Sequence, residues 1–193
     1  MSRIILKVSG EALLGEQDFG IDYNPVQMIA NEIAKAVKSG VQVAVVVGGG
    51  NIFRGMKNSA KLGMDRASGD YVGMLATVMN SLVLKDAFLK IGCSVYNQSG
   101  LSVIIIDDID SEKAKNAIND GKIVIFGGGT GKPFFSTDTG ASLRAIDIGA
   151  NVIVKLTNVD GVYDKDPRKY TDFEIIKETS HLRVIKDKLK VNN

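Results

Sequence analysis

Short apolar runs of strand length alternate along this chain with longer stretches whose apolar residues recur every three or four positions. The runs are RIILKV at 3–8, VQVAVVV at 41–47, LSVIII at 101–106, KIVIF at 122–126 and NVIVKL at 151–156. Each is continuously apolar rather than alternating, which is the pattern of parallel strands covered by helices on both faces. Between the first two runs, Val26, Ile29, Ile33 and Val37 repeat at helical spacing, with Pro25 at the first helical position and Gly40 as the stop. The longest helical stretch spans 70–90, where Leu75, Val78, Leu82 and Leu89 are expected to form a buried face interrupted by Lys85, with Met74 and Met79 packing beside it. Helices are also expected at 111–119 and 137–148, and a long loop or hairpin in the turn-rich stretch after 156. The pattern predicts an α/β fold: an open, mainly parallel sheet in the middle of three αβα layers.

With 193 residues, 45% of them hydrophobic, the chain can bury one sizeable core. Its 24 basic and 22 acidic residues leave a formal charge of +2, too little for a broad field that would wrap nucleic acid or hold an anionic membrane. A single cysteine, Cys93, and a single histidine, His181, exclude a disulfide framework and a Cys/His zinc site and give no support to a Cys-His or Ser-His-Asp set. Cys93 reads as a core thiol. The N-terminus lacks the longer apolar region of a signal peptide, and no uninterrupted apolar run reaches the ~20 residues needed to span a bilayer, so a cytoplasmic setting is expected. The Asn97-Gln98-Ser99 sequon then carries no meaning.

Three strands end in glycine-containing turns: Lys7 to Gly10, Gly48-Gly49-Gly50-Asn51, and Gly127-Gly128-Gly129-Thr130-Gly131. In an open parallel sheet such ends face one crevice. Glycine lets the backbone approach a phosphate, and a following helix N-terminus favours negative charge. Yet no G-x-G-x-x-G follows a strand, and Gly131-Lys132 is followed by Pro133 where a P-loop needs Ser or Thr. Phosphoryl transfer demands positive charge and positioning more than covalent help, and Lys7 and Arg54 answer that demand. Asp70 and Asp138 are either helix caps or groups that bind a sugar hydroxyl or arrange lysine and metal. Asp160, Asp164 and Asp166 lie in the late loop.

KVSGEAL at 7–13, GGGNIFRG at 48–55, DRASGDYVGMLATVMN at 65–80, GGTGKPFFSTD at 128–138 and KLTNVDGVYDKDP at 155–167 occur together and in this order. In this the chain resembles the bacterial UMP kinase branch of the amino acid kinase family. The resemblance implies an amino acid kinase-like single domain over 1–193: about 1–150 would bind UMP and mediate oligomerisation, and about 151–193 would begin the ATP-binding part. It implies that Lys7, Val8, Ser9 and Gly10 meet the ATP phosphates, with Lys7 at the transferring group. Gly49, Gly50 and Arg54 would surround the UMP phosphate and the γ-phosphate, and Asp70 would take the UMP ribose. Thr130, Gly131, Lys132, Pro133, Phe134, Phe135, Ser136 and Thr137 would line the uridine pocket. Asp138 would orient Lys7 or help organise the magnesium-bound phosphates. Thr157, Tyr163 and Asp166 would lie on the adenosine side of ATP.

By the same resemblance Mg2+ arrives with ATP and no dedicated metal site is expected. The enzyme would be a homohexamer activated by GTP and inhibited by UTP, with the segment 15–22 near the effector or subunit contact. Family members run on beyond the point where this chain stops, so the fold is expected to lack a C-terminal part. Two other readings stand beside this one: a relative with a carboxylate or carbamate acceptor, and a nucleotide-binding protein without turnover. Nucleic-acid binding is remote because no basic stripe or aromatic stacking surface is visible.

Overall fold

The computed structural model describes residues 2–54, 62–157, 161–165 and 169–187. Its chain divides into two compact units, Met1–Leu156 and Thr157–Asn193. In the first unit β1 (Arg3–Val8) leads through a short 3-10 turn, Gly10–Leu13, to α1 (Tyr23–Lys38) and β2 (Gln42–Val47). Then follow α2 (Arg66–Lys90), β3 (Val95–Ser99), the two-residue β4 (Asp107–Asp108), α3 (Ser111–Asn119), β5 (Ile123–Gly127), α4 (Thr137–Ile148) and β6 (Val152–Leu156). The six strands lie in the order β4-β3-β5-β2-β1-β6 and every pair is parallel.

Strand pleating sorts the core into two halves, because successive side chains leave opposite faces. Leu6, Val8, Val43, Val45, Val47, Ile123 and Ile125 pack against α1 and α2, whose Val26, Ile29, Ile33, Leu84 and Phe88 join the same cluster. Ile5, Ala44, Val46, Val124 and Phe126 face the other way, onto Ala114 and Ile118 of α3 and Ala141, Ala145 and Ile148 of α4. This is the three-layer arrangement that the apolar runs predict. Lys7 shares the α3/α4 face with Ile5, which decides where its ammonium can reach.

Three expectations need correction. The apolar run at 101–106 is not a strand: it forms a loop with one isolated antiparallel bridge, Val103 to Ile106, and leaves Ile104 and Ile105 on the surface. The strand here is the polar Val95–Ser99, held in the sheet by ladder bonds to β5 and by burial of Asn97, Gln98 and Ser99. On α2, Val78 is buried, but Leu75, Met79 and Leu89 are about half exposed, and the buried face runs through Met74, Ala76, Thr77, Asn80, Ser81, Leu84 and Phe88. At β6, Val152, Ile153 and Val154 are partly exposed, the strand being an edge of the sheet that pairs with β1 alone among the described residues.

The second unit holds an antiparallel pair, β7 (Val162–Tyr163) with β8 (Ile175–Ile176), and a short helix, α5 (His181–Lys186). Tyr163 meets Phe173 edge-on, with ring centroids 5.1 Å apart. The Asp164 carboxylate accepts from the Glu174 N–H at 2.8 Å.

Candidate active site

At the C-terminal edge of the sheet the first two glycine turns touch. The Gly48 N–H donates to the Val8 carbonyl at 2.8 Å, and a Cβ on Gly10 would stand 2.5 Å from both the Asn51 side-chain oxygen and the Gly50 nitrogen. Only glycine fits there without moving one turn off the other. The third turn is built on the same logic. Gly128 has φ +68°, and a Cβ on it would stand 2.5 Å from Ser99 Oγ and 2.6 Å from the Gly100 nitrogen.

What fastens these turns is a row of polar residues on the buried face of α2. Asn80 and Asn51 exchange amide hydrogen bonds at 2.7 and 3.0 Å, and the Asn80 amide also donates to the Gly48 carbonyl at 2.7 Å. Asn51 donates further to the Gly20 carbonyl at 2.9 Å, which ties the segment 15–22 to the same turn. Thr77 Oγ1 accepts from the Gly128 N–H at 2.8 Å. Neither Asn80 nor Thr77 is among the residues that sequence reasoning singles out. Their signal is nonetheless present: polar residues at 77, 80 and 81 share one face of an otherwise apolar helix. By length and composition alone α2 could cross a membrane. Its hydrogen bonds into two turns and its packing on the sheet make it a core helix.

Lys7 and Asp138 come together directly. Lys7 Nζ lies 3.1 Å from Asp138 Oδ1, and Lys155 Nζ lies 3.0 Å from Oδ2. The cap of α4 is Ser136, whose hydroxyl accepts from the Thr139 N–H at 3.1 Å, so Asp138 is not a helix cap and its carboxylate is free to turn to the lysines. Burial acts to raise the Asp138 pKa, but the hydrogen bond from Lys155 and the charge of Lys7 outweigh it and hold the carboxyl below its ordinary 3.8. It is therefore a fixed anion at neutral pH.

Arg54 stands over the second turn. Its guanidinium pairs with Glu11 at 2.9 Å and donates to the Gly50 carbonyl at 3.4 Å. Glu11, in the 3-10 turn after β1, is a further neighbour that the sequence reading leaves aside.

Asp70 is likewise no cap, a role taken by Asp65. It accepts from Arg66 Nε at 3.1 Å and from the Phe134 N–H at 2.8 Å, so it ties α2 to the loop 130–136. Phe134 has φ +71°, unusual for a bulky side chain, and its ring lies 5.8 Å from the Arg66 guanidinium carbon. In the same loop Thr130 Oγ1 donates to the Lys132 carbonyl at 3.0 Å, and Phe134 and Phe135 are exposed. Of the other sequence-derived residues, Thr157 and Tyr163 belong to the second unit, while Asp160 and Asp166 lie outside the described residues.

Comparison with known proteins gives one answer. Residues 2–190 match the amino acid kinase family. A uridylate kinase of Xanthomonas axonopodis pv. citri is 49% identical over 190 residues, covering 98% of this chain and 79% of that protein. One from Xanthomonas euvesicatoria pv. vesicatoria is 52% identical over 171 residues, covering 88% of this chain and 71% of that protein. The crystal structure of UMP kinase from Bacillus anthracis superposes with a TM-score of 0.94 at 31% identity, covering all of this chain and 80% of that one. UMP kinase from Ureaplasma parvum gives 0.92 at 32% identity, with coverage of 100% and 82%. The chain belongs to the amino acid kinase family.

Proposed function

We propose that this chain is a UMP kinase, a nucleoside monophosphate kinase that moves the γ-phosphoryl group of ATP onto UMP to give UDP and ADP. The observation that carries the reading is the Lys7–Asp138–Lys155 cluster at the crevice end of β1, where a transferring phosphoryl group needs positive charge. The likeness to proteins named uridylate kinase supplies the acceptor.

The chemistry follows from the charges. ATP enters as its magnesium complex, in which the ion neutralises charge on the phosphates. The acceptor oxygen of UMP is already ionised near neutral pH, so no side chain has to remove a proton before attack. Asp138, held ionised by two lysines, is poorly suited to take one. Its role in this reading is to orient Lys7, whose ammonium meets the negative charge on the transferring group. Arg54 offers a planar fork to the phosphates. Its pairing with Glu11 is half exposed and so contributes little, about 0–1 kcal/mol, which lets a phosphate displace the carboxylate at small cost.

The remaining roles are those of the resemblance. Val8, Ser9, Gly10 and Gly50 present backbone to the ATP phosphates, and Thr157, Tyr163 and Asp166 serve the adenosine side. Gly49 and Asp70 hold UMP together with the loop 130–137, where the Asp70 bond to the Phe134 N–H and the left-handed backbone of Phe134 support a site under constraint. The same reading carries a cytoplasmic setting, a homohexamer, activation by GTP and inhibition by UTP. Within this chain the support for assembly is the exposed apolar row Tyr71, Leu75 and Met79 on α2. The effector roles rest on resemblance alone.

The test is ADP release from ATP and magnesium with UMP, CMP, dUMP, carbamate, aspartate and acetylglutamate as acceptors, repeated with Lys7→Ala. Turnover confined chiefly to UMP and lost in the variant is expected. Turnover with a carboxylate or carbamate and not UMP moves the chain to another branch, and silence in a folded protein rejects the enzyme.

A further inference from the structure

Asp138 is shared by two lysines from adjacent strands. β1 and β6 pair in parallel with Lys7 opposite Lys155, so the pleat sends both side chains to the α4 face. The two contacts differ in kind. Lys155 donates a hydrogen bond to Oδ2 at 3.0 Å. Lys7 meets Oδ1 at 3.1 Å, chiefly as an ion pair and less as a hydrogen bond. An ammonium carries three donors, so a contact with one carboxylate oxygen leaves Lys7 others to offer.

Charge tells the same story. Lys7 is nearly buried, its side chain 12% exposed, and beside an ionised aspartate alone it would form a neutral pair with weak attraction for further phosphate charge. A second lysine leaves the trio with a net charge of +1. Lys155 is also the more open of the two, at 38%, so its place is at the rim while Lys7 lies deeper.

We infer that Lys155 is a positioning residue for phosphoryl transfer: from the edge strand it anchors Asp138, so that the carboxylate orients Lys7 without cancelling the positive charge of the site. The inference deepens the kinase reading and rests on it. Among the described residues, the charged groups acting on Asp138 are Lys7 from β1 and Lys155 from β6; Arg144, further along α4, is engaged by Asp147 at 3.2 Å.

The experiment compares wild type, Lys155→Met and Lys155→Arg in two readouts: steady-state kinetics with ATP and UMP, and NMR titration of the Asp138 carboxyl in the free protein. Lys155→Met is expected to lower kcat on the order of 10- to 100-fold, through misplacement of Lys7, with both KM values held within about twofold. The Asp138 titration moves upward toward the ordinary aspartate range, and Lys155→Arg recovers most of both losses. An unmoved Asp138 titration overturns the anchoring. A raised KM for ATP with kcat intact overturns the positioning role, since Lys155 would then bind substrate itself. A folded wild type inactive on UMP defeats the kinase reading, and the titration alone then decides whether Lys155 anchors Asp138.

Discussion

Asn80 shows how one side chain can organise a site it does not enter. Fully buried, it links the Gly48 carbonyl to the Asn51 amide, and through Asn51 to the Gly20 carbonyl. An Asn80→Ala change takes the Asn80 donor away from the Gly48 carbonyl and the Asn51 side-chain oxygen, each loss costing about 1–3 kcal/mol when buried. The variant is therefore expected to unfold in urea with a stability lower by about 2–4 kcal/mol, and to lose affinity for substrate phosphates as the second turn loosens. Asp138 predicts a pH effect. Its folded pKa lies below the unfolded 3.8, so its contribution to stability is complete above that pH and is lost as pH falls through the folded value. In acid titrations of the melting temperature, Asp138→Asn is expected to remove this part of the acid limb, and an unchanged limb contradicts the ion-pair account. Lys7 and Asp138 are legible in the sequence because an uncompensated lysine on a core strand and an aspartate after a glycine turn are out of place. Lys155 and Glu11 are not, since charged residues at an edge strand or a short turn look like ordinary surface.

At the scale of elements, continuous apolar runs locate β1, β2 and β5 to within a residue or so, because helices on both faces make core strands apolar throughout, and they locate the more exposed β6 as closely. The same rule misplaces β3. Gln98 and Asn97 are buried there, Gln98 donating to the Asp110 carbonyl and Asn97 to Ser81, so polar residues occupy a strand whose partners lie far away in sequence. The face of α2 is misread for a related reason. Counting leucines selects Leu75 and Leu89, but the sheet side of the helix carries Thr77 and Asn80, whose hydrogen bonds join it to the glycine turns, and Ser81, which accepts from Asn97 of β3. The two registers make opposite predictions. Leu84, wholly buried, should cost about 2–5 kcal/mol when changed to alanine, whereas Leu89→Ala at a half-exposed position should cost less than about 1 kcal/mol. Chemical denaturation of both variants decides between the faces, and a large loss at Leu89 in a protein shown to be monomeric would restore the leucine face.

For the whole molecule the consequence of that helix register is an apolar row turned outward. Tyr71, Leu75 and Met79 follow one another at four-residue spacing and are 43%, 50% and 52% exposed. Scattered surface leucines need no explanation, but a continuous row along one helix is a surface suited to another protein face. The most economical partner is a second copy of this chain, because an isologous contact brings the row against itself and covers both copies at once. The site and the row are mechanically joined, since Thr77 and Asn80, which fasten the glycine turns, lie on the same turns of α2 as Leu75 and Met79. Assembly would then stiffen the helix from which the turns are held. Light scattering is expected to find an oligomer in the wild type. Leu75→Asp combined with Met79→Asp should shift it to monomer, because two carboxylates opposed across the contact would be desolvated without partners. The same double variant should retain folded-state circular dichroism, its substitutions being on the exposed side, while turnover falls because the turns lose their stiffened support. A wild type that is monomeric with full turnover would remove both the assembly and its link to the site.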